Sequence, residues 1–462
     1  MIRLLPKRLI FRHKYKSLLV VFMFFLLSGN TEAQNIYDLS RCVQTSLEQN
    51  FSVKVARNQE EIAGNNYTRG NAGFLPLVTT TNRFGGNVTS TTQNMNNDTK
   101  NTSKGIQNTT GSAGVNLDMT LFRGFNVQTT WQKLNELKQV GELNTQMSME
   151  NLVGQIVAEY YYQIQQLNYF NNMKYAVSLS KERVRIDEER YLLGASSKLE
   201  LLQSKVYLNE DSSRLARQNE QILESEVRLK KLMALENLEE DIELKDTSII
   251  FNPDLNYKEL LELTLDLNTS LQIAKKNHLI SELDYKIIAS RSYPYLSLSS
   301  GYNYAYRGYG SGTISDYGTL TIKNQQSQTL NYGLVLGMDI YNGNNRRREK
   351  SNALIEVETR VYRFQEVEQD VKAELLTVYY AYQNNLRLAK MEGQNLDVAR
   401  ENLEIALERY RLGALSGLEL REVQKSLLDA EERLISVKFQ TKLAEISLLQ
   451  ISGKIMNYIA LE

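Results

Sequence analysis

The chain is poor in the residues that build metal centres, crosslinks and breaks in helices. It has one cysteine, Cys42, so no disulfide can form within it. Ser40-Arg41 directly before Cys42 lacks the apolar and small-residue approach of a lipid-modified cysteine, which leaves an ordinary unpaired thiol. There are two histidines, His13 and His278, too few for a soft-metal site built with a single cysteine. Beyond residue 33 no apolar run reaches the ~18 residues of a membrane-spanning helix, so any membrane crossing must be made by β-strands. No glycine-rich phosphate loop, nucleophile elbow or paired histidine–carboxylate set is present, which gives an enzyme nothing to work with and implies no cofactor.

Proline is scarce as well, with four in 462 residues. None interrupts Asn126–Gly194 or Asn345–Gly413, and each span could form a helix of roughly 100 Å at ~1.5 Å per residue. Pro76 and Pro294 fall where a helical pattern gives way to an extended one, as a missing N–H and a fixed φ require.

Residues 1–33 read as a secretory signal. Arg3, Lys7, Arg8, Arg12, Lys14 and Lys16 form a basic start, Leu18 to Leu27 a short apolar core, and Thr31-Glu32-Ala33 a small-residue cleavage site. Losing this segment leaves a mildly acidic chain, which speaks against a nucleic-acid partner.

The rest is written twice. Leu121-Phe122-Arg123-Gly124 returns as Ile340-Tyr341-Asn342-Gly343, and Glu189-Arg190-Tyr191-Leu192-Leu193-Gly194-Ala195 as Glu408-Arg409-Tyr410-Arg411-Leu412-Gly413-Ala414. Both pairs share one offset (340 − 121 = 219 and 408 − 189 = 219), the mark of a duplicated half-molecule. The copies occupy residues 35–245 and 246–462, each ordered helix, strand, strand, long helix, turn, half-length helix. Segments near 38–72 and 199–232 are each about half the long helix.

Leu201, Leu208, Leu215, Ile222 and Leu229 recur every seven residues. Leu396, Ala399, Leu403, Ala406 and Tyr410, then Leu420, Val423, Leu427, Ala430 and Leu434, alternate three and four apart. These are the seams of long helices packed side by side. Charged residues such as Arg183, Arg185, Glu188 and Glu189 are expected on the opposite faces, and Asp187-Glu188-Glu189 reads as a solvated face. Val115–Leu121, Leu334–Ile340 and Leu296–Tyr306 alternate with period two, apolar and aromatic against small and polar. A membrane barrel and a half-buried soluble sheet both alternate in this way. Gln93–Thr110 and Tyr309–Gln326 read as surface loops.

This order of elements, with both motifs repeated at one offset, resembles the TolC-like outer membrane efflux family over residues 35–455. The resemblance implies a mainly α fold with membrane β-strands. Duplicated coiled-coil helices would form a periplasmic α-barrel, and four strands per protomer would contribute to a shared trimeric outer-membrane β-barrel. It implies a passive channel of a tripartite efflux or type I secretion system. The partners would be two further copies, a periplasmic adaptor (membrane fusion protein), an inner-membrane transporter and outer-membrane lipid. Gly194, Ala195, Gly413, Ala414 and Leu415 match the adaptor-contacting tip. Glu419, Glu422, Glu200 and Tyr410 match the tunnel constriction, with Gln203 replacing the second carboxylate of the first copy. Leu415 stands where the family can carry a basic locking residue. The rival reading is a soluble periplasmic coiled-coil scaffold or an adaptor, which would lack a membrane sheet.

Processing is the first testable point. Cleavage after Ala33 is expected to leave Gln34 as the first residue, and the intact mass of exported protein checks it; retention of residues 1–33 would contradict the assignment.

Overall fold

The computed structural model describes residues 36–96, 99–310, 313–314 and 324–458. The expected signal and its cleavage site lie outside these residues, as does most of the segment Tyr309–Gln326.

The first copy runs β1 (Ile36–Tyr37), α1 (Leu39–Gln49), α2 (Phe51–Asn66), α3 (Arg69–Ala72), β2 (Leu77–Asn94), β3 (Lys100–Arg123), α4 (Asn126–Leu192), α5 (Lys198–Met233) and β4 (Glu243–Leu244). The second runs α6 (Tyr257–Leu267), α7 (Thr269–Ser290), β5 (Tyr295–Tyr309), β6 (Thr313–Ile314), β7 (Asn324–Gly337), α8 (Asn345–Arg411), α9 (Gly417–Ile451) and α10 (Ile455–Tyr458). The proline-free spans are single helices of 67 residues each. α5 and α9, of 36 and 35 residues, fold back along them.

The segment near 38–72 is not one helix. It breaks at Asn50, whose extended backbone (φ −61, ψ 132) ends α1 and starts α2. Asn268 does the same between α6 and α7. In both places the amide works twice. Asn50 Oδ1 accepts from Ser52 N–H at 2.8 Å while its Nδ2 donates to the Leu232 carbonyl of α5 at 2.8 Å. Asn268 Oδ1 accepts from Leu271 N–H at 3.0 Å while its Nδ2 donates to the Ile451 carbonyl of α9 at 2.9 Å. Each asparagine thus caps one helix and holds the end of the half-length helix beside it.

The long strands form an antiparallel sheet in the order β2-β3-β5-β7. Pro76 and Pro294 stand immediately before β2 and β5. Two expectations are corrected here. Lys100–Thr110 is strand rather than loop, because its backbone pairs along β2 from Asn94 to Gly85. Its asparagines, glycines and threonines read as a loop by composition, yet threonine is β-branched and suits a strand. The alternation expected as far as Ile340 stops earlier, since β7 ends at Gly337. From each strand the chain enters the long helix through two successive left-handed residues, Gly124-Phe125 and Gly343-Asn344.

Helix order runs parallel to strand order. α2 and α5 lie on one flank of α4, α7 and α9 on the other, and α8 lies beyond them. The main apolar core gathers where α1, α4 and α5 meet, around Val153, Ile156, Tyr160, Ile164, Leu229 and Met233. Cys42 is fully buried in it, and burial pushes its thiol up to about 12, which leaves it protonated and inert. A second core around Leu260, Leu271, Leu375, Tyr382 and Leu448 repeats the arrangement in the other copy.

The double use of Asn268 predicts a measurable cost. Asn268→Ala removes the cap of α7 and leaves the Ile451 carbonyl without its donor, a loss of about 2 kcal/mol. Asn268→Asp keeps the cap acceptor but sets a carboxylate against that carbonyl, and should do worse. Thermal unfolding followed by helical circular dichroism checks both; equal melting of Asn268→Ala and the wild type would contradict the role.

Candidate functional site

The candidate site begins at the far ends of the long helices. Each helix closes with the same pair of backbone bonds: Gly194 N–H to the Tyr191 carbonyl at 3.0 Å and Ala195 N–H to the Arg190 carbonyl at 2.8 Å, then Gly413 to Tyr410 at 3.0 Å and Ala414 to Arg409 at 2.8 Å. The glycines sit at φ +75 and +76, where a side chain is strained. The two turns are close: a Cβ on Gly413 would lie 3.5 Å from Arg190 Nη2.

The next helices start on matching caps. Ser197 Oγ accepts from Glu200 N–H, and Ser416 Oγ from Glu419 N–H. Glu419 returns the bond, its carboxylate accepting from Ser416 N–H at 2.9 Å, so Ser416 and Glu419 form a capping box. That backbone bond holds the Glu419 carboxyl below the usual carboxylate range. Glu200, Glu419 and Glu422 are all exposed. Leu415 is partly buried against the α8–α9 seam. Around the turns Leu193, Leu199, Leu412 and Leu418 stand exposed, two per copy at equivalent positions.

Tyr410 is buried between the hairpins rather than exposed. Its hydroxyl donates a very short hydrogen bond to Asp187 of α4, and Arg190 lies over its ring at 5.4 Å. Burial, reinforced by Asp187, pushes the phenol up to about 12. This corrects the reading of Asp187 and Arg183 as part of a solvated face: they are 0% and 4% exposed. The Arg183 guanidinium lies 3.8 Å from the Asp187 carboxylate. Arg183 and Arg421 then both lie over the ring of Tyr207, at 5.1 and 4.9 Å from its centre. Arg421 of α9 is bidentate on Asp211 of α5, at 2.8 and 2.9 Å, and Asp211 also accepts from Ser180. Nearer solvent, Arg411 reaches Glu182 at 3.5 Å. At the tip, Tyr410–Asp187, Arg421–Asp211 and Arg411–Glu182 therefore tie the hairpin α8–α9 to the hairpin α4–α5, and further along Asn172 Nδ2 donates to the Leu428 carbonyl at 3.3 Å.

The tie is not fully satisfied. Arg183 Nε and Nη1, Asp187 Oδ2 and both amide atoms of Gln424 are buried without hydrogen-bond partners. Buried polar groups left in this state cost free energy and favour an alternative arrangement that would hydrate them. The sequence carried one signal for this network. Ser204, Asp211, Gln218 and Ser225 recur every seven residues beside the leucine stripe of α5, and make its second seam stripe polar.

The sheet supplies the other half of the site. Register places Leu296, Leu298, Tyr302, Tyr304 and Tyr306 on one side together with Leu330, Tyr332, Leu334, Leu336, Leu117, Val115, Val78 and Phe84. The other side carries Ser299, Gly301, Asn303, Gly333, Asn331, Thr329, Asn116, Gly114, Thr79 and Thr81. From Leu296 to Tyr306 the apolar side spans about 34 Å of strand, or about 24 Å of height at a ~45° tilt, close to the apolar band of an outer-membrane barrel. β2 and β7 are its two open edges.

Known proteins agree with this architecture. The chain superposes on the outer-membrane channel OprN with a TM-score of 0.72 at 16% identity, over 90% of each chain. It superposes on VceC of Vibrio cholerae with a TM-score of 0.69 at 15% identity, over 90% of this chain and 96% of that one. CmeC of Campylobacter jejuni gives 0.70 at 17%, over 90% and 85%. Comparison with curated proteins gives no match. The family described as outer membrane efflux protein matches twice, over residues 42–235 and 260–454, once for each half of the duplication. The chain belongs to the outer membrane efflux protein family.

Proposed function

We propose that three copies of this chain close into one outer-membrane conduit, a twelve-stranded barrel above a helical tunnel. It is passive, opened at its helical tip by an adaptor and fed by an inner-membrane transporter. The observation that carries this reading is that the open edges of the sheet stand above open apolar flanks of the helical layer. Phe51, Val55 and Ile62 on α2 and Leu202 and Val206 on α5 are exposed on one flank; Tyr362, Tyr380, Val398 and Ile405 on α8 are exposed on the other. Unpaired strand edges in lipid cost several kcal/mol per group, so β7 of one copy must pair with β2 of another. A soluble scaffold would have no use for a sheet with this outward face. Division of the copies after residue 245 keeps β4 with its partner β1.

The tip is the gate. Tyr410–Asp187, Arg421–Asp211 and Arg411–Glu182 hold the α8–α9 hairpin against α4–α5 in the closed state. The lock that a basic residue at position 415 would supply is replaced by these links, and Leu415 packs instead. Glu419, Glu422 and Glu200 line the narrow end and favour cations. The exposed leucines beside Gly194-Ala195 and Gly413-Ala414 meet the adaptor's helices. No catalytic step is involved.

Tyr410→Phe tests the gate. It leaves a buried carboxylate without its donor and favours opening by about 1–3 kcal/mol, roughly tenfold in open probability. Conductance in planar bilayers should rise while the yield of assembled channel stays constant. Gly413→Pro, which cannot adopt φ +76 or donate to the Tyr410 carbonyl, should abolish export without affecting membrane insertion. Unchanged conductance of Tyr410→Phe would remove the latch from this account.

A further inference from the structure

Where the sheet is four strands wide, its polar side carries few charges: Asp118 near the helical end, and two arginines at the other. Successive rungs on that side read Leu77-Asp118-Ser299-Gly333, Thr79-Asn116-Gly301-Asn331, Thr81-Gly114-Asn303-Thr329, Arg83-Ser112-Ala305-Ser327 and Gly85-Thr110-Arg307-Gln325. Two arginines therefore occupy adjacent rungs, two strands apart. On strand geometry their Cα atoms are about 12 Å apart. Both are exposed, and neither has an ion-pair partner among the described residues. The nearest carboxylate on that side is Asp118, three rungs below, or about 20 Å along the strand. At ~8 Å screening length that distance neutralises nothing.

Their level is fixed by the opposite side. Phe84 and Tyr306 share the rung between Arg83 and Arg307, and Tyr304 lies on the rung below. These rings lie near the end of the four-stranded part of the sheet, away from the helices, and beyond them β2 and β3 run on as a hairpin to Asn94 and Lys100. The arginines thus stand at the outer mouth of the lumen, behind the outer aromatic girdle. An isolated arginine there would be an ordinary solvated side chain, but threefold closure repeats the pair.

Resting on the barrel reading above, we infer that Arg83 and Arg307 form a collar of six guanidiniums inside the outer mouth that binds soluble polyvalent anions, phosphate-rich ones above all. Guanidinium forks match phosphate oxygens in pairs, and neutral hydroxyl- and amide-lined walls add no competing carboxylate. The collar concentrates anions at the outer end of a conduit whose helical end is acidic. Opposite charge at the two ends makes the passage electrically asymmetric. A phosphate on a lipid headgroup offers the same chemistry, but the arginines face away from the side that carries the lipid-facing leucines and tyrosines.

The test uses the purified full-length channel in planar bilayers of phosphatidylcholine alone, with inorganic tripolyphosphate added to one compartment and then the other. Block is expected from one side only. Arg83→Gln with Arg307→Gln should raise the half-blocking concentration at least about tenfold, and Arg83→Lys with Arg307→Lys should retain most of the block. Arg347→Gln, exposed on α8 below the sheet, should leave block unchanged. A conducting channel blocked equally in the wild type and the double glutamine variant overturns the collar while leaving the channel reading intact. Loss of block in phosphatidylcholine with recovery in lipopolysaccharide-containing bilayers overturns the lumenal placement and assigns the arginines to lipid. A chain that yields neither assembly nor conductance overturns the channel reading, and the collar with it.

Discussion

Unpaired backbone along β2 and β7 is the constraint on which the rest of this molecule depends. A four-stranded sheet with leucine and tyrosine on one side can enter lipid, but its edge N–H and C=O groups cannot. Only closure removes the edges, and four strands are too few to close around a lumen. The helical layer meets the same requirement by other means. Its edge helices present apolar residues that water disfavours, on the same two flanks where the strand edges are open. In the proposed trimer, one rotation of a second copy would cover both.

Duplication followed by divergence explains how a symmetrical scaffold could acquire the proposed gate. The two tips share the glycine turn, the serine cap and the glutamate at the third helical position. They differ where the hairpins meet. Tyr410 is buried on Asp187, whereas its counterpart Tyr191 is 39% exposed. Arg421 grips Asp211, whereas the first copy has exposed Leu202 at the equivalent place. Gly417 replaces Lys198, and a Cβ there would run into the Arg183 guanidinium at 2.7 Å. One hairpin thus gained the polar groups that hold it to the other. The shortfall of hydrogen bonds around Arg183, Asp187 and Gln424 would keep that hold reversible in the proposed gate.

Much of the fold was legible because its signals are long. Absence of proline allowed α4 and α8 their full length, the repeated glycine turn marked their far ends to within two residues, and a repeat at one offset exposed the duplication. Strand alternation was visible wherever leucine and tyrosine faced serine and glycine. Polar strands were not, and Lys100–Thr110 passed for a loop because β-pairing, not composition, decides its state. At the site, the turns and Tyr410 could be placed from the repeated motif. Asp187 could not: it lies in an acidic run, and only the neighbouring hairpin determines that one of three carboxylates turns inward. Asn50 and Asn268 show the same limit, since their matching offset was visible but the carbonyls they hold are about 180 residues away.

In the proposed channel this sheet exists only as part of a closed assembly. Native mass spectrometry of the protein extracted from outer membranes tests it most directly. A trimer is expected, with free monomer appearing only together with loss of β-structure. A folded monomer, stable in detergent with its strand content intact, would contradict it.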